Sequence, residues 1–549
     1  MLLALVMMLA FAAACSPNNA PAASDAGNGT AAPGGDAGGG GGTIVRVGVS
    51  EVPDIDPASA LTSASNIAVA NLYDALVFPG PGDTLIPRLA ESWETSNNGL
   101  TYTFNLRQGV RFADGSPFTA SDVAFSMNRM LAIGEGFSFL FVDFVDSVEV
   151  VSDYVVSFHL SQPYGPFLSA LIRFFVVNER LIMDNLADGI HGEFGDFGRA
   201  FLNTNSAGTG AFHSVELVHL DFFLAERNEN WWGDWSTKTN APTGFRMMAI
   251  PEPATVLTMM TTGQLDITDQ WQSTENLNSM AAVDGISIAE YSTFLVQNMY
   301  MNNRIAPTDC VYFRRAIASL FDFDTIVNDI FINSVRATGP VAAGVAGQIP
   351  TNVLDFDIEA ARGFLAQSIY ADTFQNYTLD LLVNSDVAVH ERLALMFQAT
   401  AQQVGINVSI SRAPWVAIMD RMGSVETSPH LTTISVAPAF NDAGTYLEAR
   451  YHSKTTGTWT QGEWLLDPEV DAMIDAALAI VNQNERFAAY AQIQNHIVDN
   501  LYPTIWLVDL TERVAYQSGR ISWPFVEQAG FPRAVEGFHK IYSEMQLRG

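Results

Sequence analysis

The chain has 549 residues, 48 % of them apolar, enough for several cores, and its length predicts two to four domains. Its formal net charge is −32. That excludes the basic face that phosphate backbones need, so no nucleic acid is expected as a partner, and it excludes an electrostatic grip on anionic lipid. Two cysteines, Cys15 and Cys310, exclude a cysteine-based metal cluster.

The first element is an address. Leu2 to Ala14 form an apolar run too short for a bilayer span, which needs roughly 20 residues, but right for the apolar part of a secretory signal. Ala12, Ala13 and Ala14 stand directly before Cys15, an arrangement that resembles a bacterial lipobox, in which the cysteine thiol carries the lipid. Residues 1–15 are therefore expected to be a lipoprotein signal with Cys15 as the lipidation site. No basic residue precedes Cys15, and the first is Arg46. Signals start with a positive segment, so an upstream start codon is expected. Residues 16–42 are rich in Gly, Ala, Pro, Ser and Asn without an apolar pattern, which predicts a flexible tether reaching about 30 Å. Two acyl chains would make the anchor stable.

From Thr43 the texture changes. TIVRVGVS predicts a short strand. Thr101–Arg107 alternates cleanly with Tyr102, Phe104 and Leu106 on one face, then turns at Gly109 into a second strand, Val110–Phe112, and turns again at Asp114-Gly115. Thr119 with Asp122 forms a capping-box variant before Val123, Met127 and Met130 at helical spacing. Cys310 opens a helix and reads as a small buried apolar residue. Further on, Asp467 caps and Pro468 takes the first helical position, with Val470, Ile474, Ala477 and Val481 on one face. A second helix from about Asn484 presents Phe487, Tyr490, Ile493 and Ile497 inward and stops at Pro503, before the strand TIWLVDL. Strands and helices alternate without a fixed repeat, which predicts an α/β body of more than one lobe.

The stretch 71–130 carries a resemblance. NLYDALV, LIPRLAESWE and LTYTFNLRQGVRFADGSPFTASDV are similar to the signature region of family 5 extracellular solute-binding proteins, the peptide, nickel and oligosaccharide receptors of bacterial ABC importers. GTGAF (208–212), ERNENWWG (226–233), TTGQLDI (261–267), FRRAIASLFD (313–322) and QQVGINVSI (402–410) follow in the same order. The resemblance implies a two-lobe periplasmic-binding-protein fold with an extra domain inserted in the first lobe. Lobe one would comprise 43–75, 205–290 and 508–549, the extra domain 76–204, and lobe two 291–507. It implies a monomer outside the cytoplasm that captures an oligopeptide or dipeptide by hinge closure and delivers it to permease subunits with their ATPases. An oligosaccharide or metal-chelate receptor, or a sensor without transport, are the alternatives.

Most signature residues read as structural. Arg107, Gly109, Asp114 and Gly115 are hairpin and turn chemistry, and Trp231-Trp232 is a packed turn. Ligand contacts are expected elsewhere. Glu51 and Val52 follow the first strand, where relatives pair with peptide backbone, a contact blind to sequence. Trp415 follows INVSI and resembles a pocket-lining Trp, and His390 stands near a pocket histidine of some peptide receptors. The loop 435–447 resembles the one that carries an aspartate for the ligand's ammonium, but here Ala439 occupies that place. Asp442 would then take over, beside Phe440 and Asn441, or the ligand would lack a free amine. In the second case Phe440, Trp415, Trp459 and Trp464 would offer stacking faces to a sugar. No HExxH, GxSxG or Walker loop is present, so no enzyme activity, cofactor or metal is expected.

Overall fold

The computed structural model describes residues 43–385, 387–528 and 535–548, so Cys15 and the tether lie outside the described residues. The β-branched strand Ile44–Val49 lies parallel to Gly244–Ala249, with Val45 opposite Phe245 and Val47 opposite Met247. Phe222–Arg227 and Phe212–Val218 continue that sheet antiparallel. Ile267 bridges Val47 on one side and Tyr516 on the other, which joins this sheet to the antiparallel pair Ser287–Tyr291 and Glu512–Tyr516.

A second sheet has six strands, in the order Val335–Arg336, Thr504–Asp509, Val296–Met301, Leu431–Val436, Thr378–Asn384 and Asn407–Ala413. Thr378–Asn384 and Asn407–Ala413 are parallel and joined by the helix Ala388–Gln403, the crossover that parallel pairing requires. Every residue of the central strands Val296–Met301 and Thr504–Asp509 is buried, because layers cover both faces. A third sheet, antiparallel, lies wholly within 90–160 and contains Thr101–Leu106, whose Tyr102, Phe104 and Leu106 are buried as the alternation predicts.

The chain passes between the first and second sheets twice, at 292–295 and 510–511. The two passages are tied together. Leu510 N–H donates to the Leu295 carbonyl at 2.8 Å, and the Thr293 hydroxyl donates to the Glu512 carboxylate. Two lobes joined by two adjacent passages are therefore what the topology builds.

Local signals explain the elements around this frame. Asp122 accepts from Thr119 N at 2.8 Å and starts the helix Ala120–Ile133, with Val123, Met127 and Met130 buried. Asp467 accepts from Glu469 N and Val470 N and starts Pro468–Leu478. Cys310 is the buried N-cap residue of Val311–Ala318. Two expectations need correction. Val110–Phe112 is no strand: only Arg111 bridges, to Pro117, because turns at Gly109 (φ 76°) and Gly115 (φ 83°) leave too little chain between them. Val481 does not belong to the helical face. The helix ends at Leu478, and Val481 is an exposed residue lying against Gly99. The second helix starts at Gln483, capped by Asn482, in line with the expected start at about Asn484, and carries Tyr490 and Ile493 inward.

Candidate functional site

The residues that face one another between the segment 76–204 and the second sheet's helical layer define the candidate cleft. Gly165 N donates to the Leu478 carbonyl at 2.7 Å, and Gln483 Nε2 to Asp83 Oδ2 at 3.0 Å. Lys454 Nζ reaches both Asp143 (3.1 Å) and Glu448 (2.8 Å), a bridge from one side to the other. Asn441 is shared: its Nδ2 donates to the Gly82 carbonyl at 2.6 Å, and its Oδ1 accepts from Ala346 N at 3.0 Å. A small crevice of about 20 Å³ lies beside these contacts, bordered by Gly82, Asp83, Ser169, Ile172, Asn441 and Val535.

Arg173 follows Ile172, which borders the crevice, and lies behind it. It is 1 % exposed. Its Nε donates to the Ala439 carbonyl at 2.6 Å, and its Nη1 lies 3.5 Å from Asn66 Oδ1 on the helix Ser63–Leu72. Its guanidinium carbon sits 4.6 Å from the Phe137 ring centre and 5.4 Å from that of Phe538. Burial lowers its pKa to about 10, against the charge of Glu536. Sequence reasoning passed over this residue. Its signal was a single charge inside the apolar run Ala170–Val177, every residue of which is buried.

The expected contact residues fall into four groups. Asn441 stands in the cleft. Trp415 and Trp459 are half-buried and meet edge to face, 5.5 Å between ring centres, so their exposed parts are available to a solute. Glu51 is exposed just past the first strand, and Val52 packs half-buried against the core.

The remaining expected residues have protein partners. Phe440 is fully buried in the core. Asp442 is 2 % exposed, caps the helix Ala443–Tyr451 through Gly444 N (2.9 Å) and pairs with Arg486 at 3.1 Å. Burial pushes its carboxyl up while Arg486 pulls it down. His390 is buried, with Nε2 at 2.9 Å from Gln297 Oε1 and Nδ1 at 3.1 Å from Thr433 Oγ1. Ser435 donates to the same Gln297 oxygen, so Nε2 carries the His390 proton and Nδ1 accepts. Trp464 donates from Nε1 to Ser428 Oγ at 2.8 Å. Trp232 lies under the guanidinium groups of Arg88 and Arg107 and donates to Asp74 at 2.8 Å, which makes Arg107 a packing residue as well as a hairpin residue.

A second group of buried ionisable residues lies on the first lobe: Asp269, Glu512, His539 and Lys540. Burial, with the neighbouring charge of Glu536, pushes Glu512 well above the usual carboxylate range. Burial also lowers both Lys540 and His539. Among the described residues no group of three or more His, Cys, Asp or Glu could hold a metal ion, and no helix is long and apolar enough to cross a membrane.

The family of bacterial extracellular solute-binding proteins, family 5 (middle), matches residues 84–458. A probable D,D-dipeptide-binding periplasmic protein, DdpA, of Escherichia coli is 26 % identical over 75 % of this chain and 77 % of its own length. Heme-binding protein A of Haemophilus influenzae is 24 % identical over 88 % of this chain and 90 % of its own. The crystal structure of the ABC transporter substrate-binding protein CtaP of Listeria monocytogenes superposes with a TM-score of 0.78 at 19 % identity, covering 92 % of this chain and all of that one.

Proposed function

Because the chain belongs to family 5 of the bacterial extracellular solute-binding proteins, a family of binding proteins and not of enzymes, we propose that it captures a short peptide in the cleft between its two lobes and hands it to the permease of an ABC importer. Arg173 reaching from the segment 76–204 to the Ala439 carbonyl is the observation that carries this reading. It brings a charged, buried group to the place where the two halves meet, and clefts of this kind bind through apolar walls and a few aimed polar groups. The name of the Escherichia coli relative, which speaks of dipeptides, supports the ligand class.

The reading includes a lipid anchor at Cys15, a tether over 16–42, lobe one at 43–75, 205–290 and 508–549, an extra domain at 76–204, and lobe two at 291–507. The anchor holds a monomer at the outer face of the cell membrane, near the permease. Glu51, Val52, Trp415, Asn441 and Trp459 would form the walls. One observation favours an oligosaccharide instead: the half-buried pair Trp415 and Trp459 offers the ring faces that sugars stack on.

Mass spectrometry of the protein purified from its own cells tests both halves. Released short peptides, with an intact mass showing a diacylated N-terminal Cys15, are expected. A released oligosaccharide or metal chelate would contradict the peptide reading, and an unmodified N-terminus would contradict the anchor.

A further inference from the structure

We propose that the turn 479–482 is a catch that seats on the segment 76–204 when a solute closes the cleft, and that Lys454 locks it there. The proposal deepens the closure part of the reading above and rests on it, whichever class of solute is caught. The turn links the helices Pro468–Leu478 and Gln483–His496 and lies against two glycines of the facing segment. Gly165 N donates to the Leu478 carbonyl at 2.7 Å. A Cβ at Gly165 would collide with the Ile480 carbonyl oxygen, and one at Gly99 with the Val481 side chain. Gly165 has no left-handed φ, so its own backbone does not ask for glycine; the closeness of the turn does.

The turn moves as one piece with the loop that lines the cleft. Arg486 Nη1 donates to the Ile480 and Val481 carbonyls at 3.1 and 3.3 Å, and Nη2 pairs with Asp442. Asp442 starts the helix Ala443–Tyr451 directly after Ala439, Phe440 and Asn441. The facing segment meets both parts with a single loop, between Val77–Pro79 and Leu85–Pro87. Its Gly82 accepts from Asn441, and its Asp83 accepts from Gln483 at the end of the turn. A solute that draws the loop at 439–441 inward therefore brings the turn onto its seat.

The seat is built to release. Among the described residues no strand of 76–204 pairs with a strand of 291–507, and the one backbone-to-backbone hydrogen bond between them is that of Gly165. Lys454 is one of three lysines in a chain of net charge −32. Its Nζ stands between Asp143 at 3.1 Å and Glu448 at 2.8 Å, and among the described residues neither carboxylate has another ion pair. Glu448 belongs to the helix that Asp442 starts, six residues before Lys454, so the two stay together when the halves part. Asp143 is the partner that leaves. Its side chain is 53 % exposed and that of Lys454 38 %, so water replaces this bond readily. Without Lys454 the same movement would bring two carboxylates face to face.

Small-angle scattering and calorimetric titration test the catch on the full chain, freed of bound solute by partial unfolding. Three probes are added separately: the free di- and tripeptide pool, a neutral oligosaccharide pool, and nickel–histidine. At least one probe should contract the wild type. Gly165→Ala should bind that probe about tenfold more weakly and, at saturation, stop short of the contracted radius, because the new methyl meets the turn only in the closed form. Full contraction of Gly165→Ala would show a side that is packed permanently and would overturn the catch. Contraction by oligosaccharides or nickel–histidine without contraction by peptides ends the peptide reading and leaves Gly165→Ala to judge the catch. No contraction of the wild type by any probe overturns it.

Lys454→Met changes one surface side chain and decides the matter should Gly165→Ala not fold. It should bind about threefold more weakly at low salt, and the difference should vanish at high salt, where screening weakens the wild-type bridge. Lys454→Arg, which keeps the charge, should restore the affinity. Equal affinity of Lys454→Met and wild type at low salt would overturn the lock.

Discussion

His390 illustrates what burial does to a single residue. Its ring is closed off by Gln297 and Thr433, and burial lowers its pKa from 6.5 to about 4. The folded protein keeps it neutral between those values, while the unfolded chain binds a proton below 6.5. The unfolded state therefore holds more protons in that window, and stability falls as pH falls through it. The drop from 6.5 to about 4 corresponds to about 3 kcal/mol. Glu512, pushed well above the usual carboxylate range, works the other way, since the folded state holds its proton longer as pH rises. A comparison of wild type with His390→Gln isolates the histidine. Between pH 7 and pH 4.5 the wild type should lose about 2 kcal/mol more than the variant in denaturant unfolding. Equal losses would show that the imidazole is not held neutral.

At the scale of elements, the helix starts were the most legible part of the sequence. Asp122 and Asp467 sit where a short acceptor must meet the first free N–H groups, a requirement local to four residues. Asp442 is a third case, but its sequence neighbourhood also suggested a ligand contact. Its cap on Ala443–Tyr451 is local and readable, whereas its partner Arg486 stands on the loop-proximal turn of another helix, 44 residues away. That pairing joins the two helices Ala443–Tyr451 and Gln483–His496. Asp442→Asn keeps an acceptor for the cap and removes the charge, leaving Arg486 buried without its partner. It should cost about 3 kcal/mol, and Asp442→Ala about 1 kcal/mol more. Losses near zero in thermal unfolding of both variants would show that Asp442 is free for another role. Val110–Phe112 was misread for a related reason. Apolar alternation over three residues cannot outvote two flanking turns that need left-handed glycines.

At the scale of the whole molecule, the family motifs were legible because they lie in order along the chain, and they fixed the two-lobe fold. The cleft was not, since its contacts join distant residues. Arg173 meets Ala439 across 266 positions, Asn441 meets Gly82 across 359, and Gln483 meets Asp83 across 400. These contacts are few and polar, while the tie at Leu295 and Leu510 is a continuous backbone passage. The exposed ones among them, Asn441 to Gly82 and Gln483 to Asp83, contribute little each because water can replace them. The open and closed arrangements should therefore lie close in free energy, with a bound solute tipping the balance by rigid motion about the passages at 292–295 and 510–511. Small-angle X-ray scattering of the solute-free protein, with and without the free di- and tripeptide pool, tests this most directly. The radius of gyration should contract on adding the peptides and recover when they are removed. An unchanged radius under peptide concentrations that saturate binding would contradict capture by closure.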